Sequence, residues 1–127
     1  LINEIAPRTH NSGHFSIEAC NSSQFDQHIC ISSGIKPPEI KMNCEGSLMI
    51  NLLGLKKNFP LSIENRIKKL SEMTGGYLHW YGKSRETIGR KMGHITFLLD
   101  DNCYEERFLK SKKLIDEVEK IWPSPYS

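Results

Sequence analysis

The 127 residues carry seventeen Lys and Arg against fifteen Asp and Glu, a formal charge of +2, with 38% hydrophobic and 25% charged side chains. This is the size and balance of one modest globular unit that can bury a core; it excludes a multidomain machine, disfavours wholesale disorder and offers no molecule-wide field for nucleic acid. The charge is uneven, however. Residues 1–54 hold three bases and five acids, residues 55–99 nine and three, and residues 100–127 five and seven, so an anion is drawn to the middle third.

No apolar stretch approaches the roughly 20 residues needed to span a bilayer, and no basic n-region leads into an apolar h-region. Cys20, Cys30, Cys44 and Cys103 have neither the spacing of a zinc or redox site nor the density of a secreted disulfide scaffold, so the expectation is reduced thiols, small core residues and a cytoplasmic location. The chain opens at Leu1 in an apolar run, which suggests a piece of something longer or a processed product.

In chain order, residues 1–6 read as a short strand ended by Pro7, which lacks the N–H that a ladder requires. His10 to His14 is a polar, glycine-containing loop. A helix is predicted over 23–33, with Ser22 as N-cap, Phe25 and Ile29 on the buried face and Gly34 in the C-terminal turn. Residues 35–45 contain Pro37-Pro38 and mark a connector, with the domain boundary placed near residue 40. Residues 47–53 read as a buried strand. Residues 62–73 form an amphipathic helix with Ile63, Ile67 and Leu70 on one face, stopped by Gly75-Gly76. Residues 77–81 and 94–99 read as strands, joined by a basic loop from Gly82 to Met92. Asn102 is expected to cap a last helix over 104–121, with Phe108, Ile115, Val118 and Trp122 as its apolar stripe and Pro123 as its stop.

Two constellations bear on chemistry. The first is Asn3-Glu4-Ile5-Ala6-Pro7-Arg8, continuing to His10-Asn11-Ser12-Gly13-His14. A carboxylate on an apolar strand needs a cation. An internal Glu4 to Arg8 pair and a metal-nucleotide edge beside an oxyanion pocket both satisfy that need, and spacing alone does not choose between them. The second runs from Tyr81 to His94, with four cations, one acid and three glycines. Cations and close backbone N–H groups suit a phosphate monoester, although a solvated surface loop has the same composition. The histidines show no metal-ligand spacing.

Taken together, Asn3 to His14, Ile17-Glu18-Ala19-Cys20, Ser23 to His28, Met49 to Gly54, Tyr81-Gly82-Lys83 and Gly89-Arg90-Lys91-Met92-Gly93-His94 resemble, in order, the carboxy-terminal third of 5-(carboxyamino)imidazole ribonucleotide synthase. That family is the ATP-grasp subunit of phosphoribosylaminoimidazole carboxylase in purine biosynthesis. The resemblance implies an ATP-dependent carbon-nitrogen ligase in which bicarbonate, activated as carboxyphosphate, carboxylates aminoimidazole ribonucleotide. It assigns Asn3 and Glu4 to ATP and Mg²⁺, Arg8, His10 and Asn11 to the bicarbonate and carboxyphosphate pocket as catalytic residues, and Lys83 and Arg90 to the ribonucleotide phosphate.

One departure is Ile88, where the family commonly has proline before the glycine; a less rigid loop is expected. The nucleotide-binding lobe, with its glycine-rich loop and second carboxylate, is not in these residues, so the chain alone is expected to be inactive, its missing partner being the amino-terminal lobe of the same protein. The expected architecture is α+β: residues 1–40 complete the edge of an ATP-grasp domain, and residues 41–127 form a small C-terminal domain with a mostly antiparallel sheet and flanking helices. The full-length protein is expected to be a homodimer that binds neither nucleic acid nor membrane. The competing readings are the related ATP-grasp formyltransferase of the same pathway, and a non-catalytic phosphate- or RNA-binding module using the 83–91 loop.

Overall fold

The computed structural model describes residues 5–55, 59–101 and 103–126. Its centre is a three-stranded antiparallel sheet in the order β1-β3-β2, with β1 at Gly46–Leu53, β2 at Gly76–Trp80 and β3 at Lys91–Leu99. Two short helices, α1 (Ser16–Ala19) and α2 (Gln24–Ser32), precede the sheet; α3 (Ile63–Ser71) joins β1 to β2, and α4 (Tyr104–Ile121) follows β3. The α+β architecture is therefore as expected.

The pleat assigns the two faces. Ile50, Ile95 and Leu78 form one cross-strand row, and Leu52, Gly93 and Trp80 the next; side chains alternate faces along a strand, so these rows share a side. That side packs against α3 and α4, and Leu52, Leu70, Ile95, Phe97, Val118 and Trp122 make its buried core. The other face carries Met49, Asn51, His94, Thr96, Tyr77 and His79. A carbonyl-to-amide ladder thus holds one apolar and one polar wall back to back.

A β-bulge breaks this alternation at one place. Leu52 pairs with Gly93, but Leu53 pairs with Lys91, so Met92 is the extra residue, fully buried in the core cluster. With regular pairing, Lys91 would share the core face with Gly93 and Ile95. The bulge turns it to the polar face, a re-aiming that bulges next to sites commonly perform.

The local chemistry corrects several expectations. The cap of α2 is Ser23, not Ser22: Ser23 Oγ accepts from Asp26 N at 3.2 Å, and Asp26 Oδ2 accepts from Ser23 N at 2.8 Å, a reciprocal box. Ile29 is 62% exposed rather than buried; α2 packs on α1, and Phe25 meets the His14 ring at 5.1 Å between centroids. Gly34 does take the positive φ of the helix stop. β3 begins at Lys91, three residues before His94, because backbone pairing with β1 continues past the bulge. Cys103 caps α4, its Sγ accepting from Glu106 N at 3.4 Å; the expected cap Asn102 lies outside the described residues. Phe108 is exposed and stacks on Tyr104 outside the core. Of the cysteines only Cys20 is buried, while Cys103 is exposed; all four are free thiols. The strand expected over 1–6 lies mostly outside the described residues, and Ile5 and Ala6 belong to no strand.

Candidate functional site

The polar face of the sheet is roofed by the segment 10–19. His10 N donates to Gln24 Oε1 at 2.9 Å and Gln24 Nε2 donates back to His10 O at 2.8 Å, which seats a one-turn 3₁₀ helix (Asn11–Gly13) on the start of α2. A Cβ on Gly13 would lie 2.7 Å from Gln24 Oε1, so a larger residue there would push that side chain off its two bonds to His10. Ser16 Oγ, donating to Gly13 O at 2.6 Å and accepting from Gln24 N at 2.9 Å, completes the knot.

Between roof and sheet lies a cleft of about 550 Å³, lined by His10, Asn11 and Ser12 above and by Met49, Asn51 and Lys91 below. His10 Nδ1 is engaged by Ser12, with Oγ at 2.8 Å and N at 3.3 Å. The buried Asn51 Oδ1 has no hydrogen-bond partner among the described residues. The cleft therefore joins a cation with amide and imidazole groups, a set that can hold a small oxyanion.

Beside it the roof and sheet are stitched by histidines. His79 stacks on His94 at 4.6 Å between ring centroids, His14 lies 5.4 Å from His94, and Tyr81 Oη is 2.8 Å from His94 Nδ1. Glu18 Oε1 of α1 meets His79 Nε2 at 2.6 Å. Burial, with His79 and His14 adding their charge, lowers the His94 pKa to about 4, and burial followed by Lys91 lowers that of His14. Burial raises the Tyr81 phenol, opposed by a hydrogen bond from the Asn11 side chain.

The basic loop, now Gly82 to Arg90, is fastened to the end of β1. Gly54 N donates to Arg90 O at 2.8 Å and Gly54 O accepts from Gly89 N at 3.0 Å. Gly82 and Gly89 both have positive φ, the conformation for which glycine is favoured. Lys83 Nζ donates to Lys91 O and lies 5.2 Å from the centroid of the Tyr81 ring.

Of the residues singled out from sequence, His10 and Asn11 line the cleft, and Lys83 reaches the backbone of the cleft residue Lys91. Arg8 is exposed, its guanidinium donating to Thr9 O at 3.4 Å. Arg90 is also exposed and donates to Arg85 O at 3.2 Å; neither arginine lines the cleft. Asn3 and Glu4 lie outside the described residues. Lys91, Asn51 and the histidine stitch escaped sequence reasoning; only the shared period-2 face of Asn51 and His94 could have hinted at them.

Comparison with known proteins bears on both halves. Residues 47–106 match the phosphoribosylaminoimidazole carboxylase C-terminal domain, and residues 1–25 match the ATP-grasp domain. The chain is 41% identical over 124 residues to the N5-carboxyaminoimidazole ribonucleotide synthase of Synechococcus elongatus, covering 98% of this chain and 31% of that protein. It is 41% identical over 125 residues to the phosphoribosylaminoimidazole carboxylase of Schizosaccharomyces pombe, covering 94% and 22%. Among solved structures, the Staphylococcus aureus N5-carboxyaminoimidazole synthetase complexed with ADP superimposes with a TM-score of 0.73 at 41% identity, covering 94% of this chain and 30% of that one. The Aspergillus clavatus N5-carboxyaminoimidazole synthase in complex with ADP and 5-aminoimidazole ribonucleotide gives 0.69 at 30% identity, covering 88% and 29%. The chain thus spans under a third of the length of these relatives.

Proposed function

Because this chain belongs to the N5-carboxyaminoimidazole ribonucleotide synthase family, we propose that it supplies the carboxy-terminal part of an ATP-dependent ligase that carboxylates aminoimidazole ribonucleotide with bicarbonate in purine biosynthesis. Residues 1–40 belong to the ATP-grasp domain in this reading and residues 41–127 to the domain that closes over the ribonucleotide. With it come a homodimeric parent in the cytoplasm and Mg²⁺ beside ATP.

The observation that carries the reading is the cleft, in which His10 and Asn11 face Lys91 from the far end of the sequence. Bicarbonate and carboxyphosphate are small oxyanions, the latter short-lived in water, and preorganised donors stabilise the charge that develops on them. Arg8 supplies a planar fork for an oxyanion, and Lys83 and Arg90 grip the phosphate of the ribonucleotide, whose amine then takes the carboxyl group as phosphate departs. Asn3 and Glu4 are the positions for ATP and its metal. Among the described residues no group of three or more His, Cys, Asp or Glu could hold a metal ion.

Two measurements test this. Titrated with aminoimidazole ribonucleotide and with short RNA over a salt series, the chain should bind the ribonucleotide saturably; a preference for RNA with a steep salt slope would support the binding-module reading instead. Fused behind the amino-terminal two-thirds of the Synechococcus relative, it should restore phosphate release that needs ATP, bicarbonate and ribonucleotide together. The chain alone should give background.

A further inference from the structure

Glu86 is the one acid in a stretch with four cations, yet it pairs with none of them. Both carboxylate oxygens turn away to Arg66 of α3, Oε1 accepting from Nη1 at 3.0 Å and Oε2 from Nη2 at 2.9 Å, and Oε1 also accepts from Leu55 N at 2.9 Å. Arg66 is 2% exposed, and its guanidinium carbon lies 4.0 Å from the Trp122 ring centroid. Among the described residues, Lys83, Arg85, Arg90 and Lys91 form no ion pair.

A buried arginine is a poor way to stabilise a fold. Desolvation offsets most of the attraction, and a well-packed apolar residue commonly does as well. What a neutral replacement of Arg66 cannot do is neutralise a carboxylate that would otherwise lie among the loop's own cations. We propose that Arg66 is a positioning residue that sequesters the Glu86 carboxylate, so that the cations of the loop face a phosphate monoester unopposed. The inference rests on reading this loop as the phosphate grip.

Ribose 5-phosphate is the probe, titrated into the 127-residue chain and into Arg66→Met and Arg66→Met/Glu86→Gln, with a thermal melt of each. Freed from its partner, Glu86 competes with the phosphate, and Arg66→Met should bind about tenfold more weakly or worse, the scale of one unit-charge interaction near a protein surface. The double variant has lost the tether but also the competing charge, and should recover most of the affinity while melting at a lower temperature than the unmodified chain. It buries no unpaired charge, so it folds even where the single variant does not. A folded double variant with lost affinity would give the pair a purely structural role and overturn the proposal, as would unchanged binding by Arg66→Met. Absence of ribose 5-phosphate binding by the unmodified chain would instead bring down the phosphate reading, and this proposal with it.

Discussion

Tyr81 Oη lies 2.8 Å from Nδ1 of His94, a ring almost wholly buried on β3. Burial holds that ring neutral well below the ordinary histidine range. His14 from the roof and His79 from β2 face its ring, Glu18 stands behind His79, and Lys91 is the nearest cation acting on His14.

Stability should therefore fall on acidification. An unfolded histidine takes its proton near pH 6.5, whereas folded His94 does so only at about 4. Between those values the unfolded chain holds more protons, so stability is intact above about pH 6.5 and drains as pH falls, by at most about 1.4 kcal/mol per unit. The lowered pKa of His14 acts in the same direction. Thermal melts from pH 7.5 to 4 should show the decline, and His94→Gln should flatten it; an equal slope in the variant would assign the effect elsewhere.

Gly54 sets how closely the basic loop can approach β1. A Cβ there would fall 2.1 Å from the carbonyl oxygen of Thr87, a backbone atom with no freedom to rotate aside. Gly54→Ala should cost about 1–3 kcal/mol and lift the loop. Limited trypsin digestion is the check, with cleavage at Lys83, Arg85 and Arg90 accelerated ahead of cuts elsewhere.

Trp122 closes the core and also covers Arg66. Its Nε1 donates to Leu53 O at 2.6 Å, and it is 3% exposed. Truncation to Ala should destabilise by about 3–5 kcal/mol in urea unfolding. Trp122→Phe keeps the packing but leaves a buried carbonyl without its donor, and should cost about 1–3 kcal/mol. Equal losses for the two variants would mean that the ring contributes little beyond its N–H.

Ser23→Ala removes the side-chain half of the capping box on α2, at an expected cost of about 1 kcal/mol. Because Gln24 ties the first turn of α2 to His10, the change should also raise amide exchange at His10. Ser22→Ala should leave that exchange alone.

The loop that carries Ile88 is fastened at Glu86, Gly89 and Arg90 by groups from α3 and the end of β1, contacts distant in sequence that no local pattern reveals.

Local and periodic information in the sequence was enough for the α+β class, the three strands and the long helices, because burying one face of an element leaves a 2- or 3.6-residue signature; the caps were not, since Ser23 and Cys103 serve where their neighbours were expected. The family's motifs, too, are linear, and so were legible. The cleft was decided only in three dimensions. One extra residue at Met92 reverses the facing of Lys91, and a roof some seventy residues upstream comes to rest on His79 and His94. Neither event has a sequence period: a bulge is a cooperative choice of ladder register, and the Arg66–Glu86 pair joins residues of α3 and the basic loop that meet only in the tertiary fold.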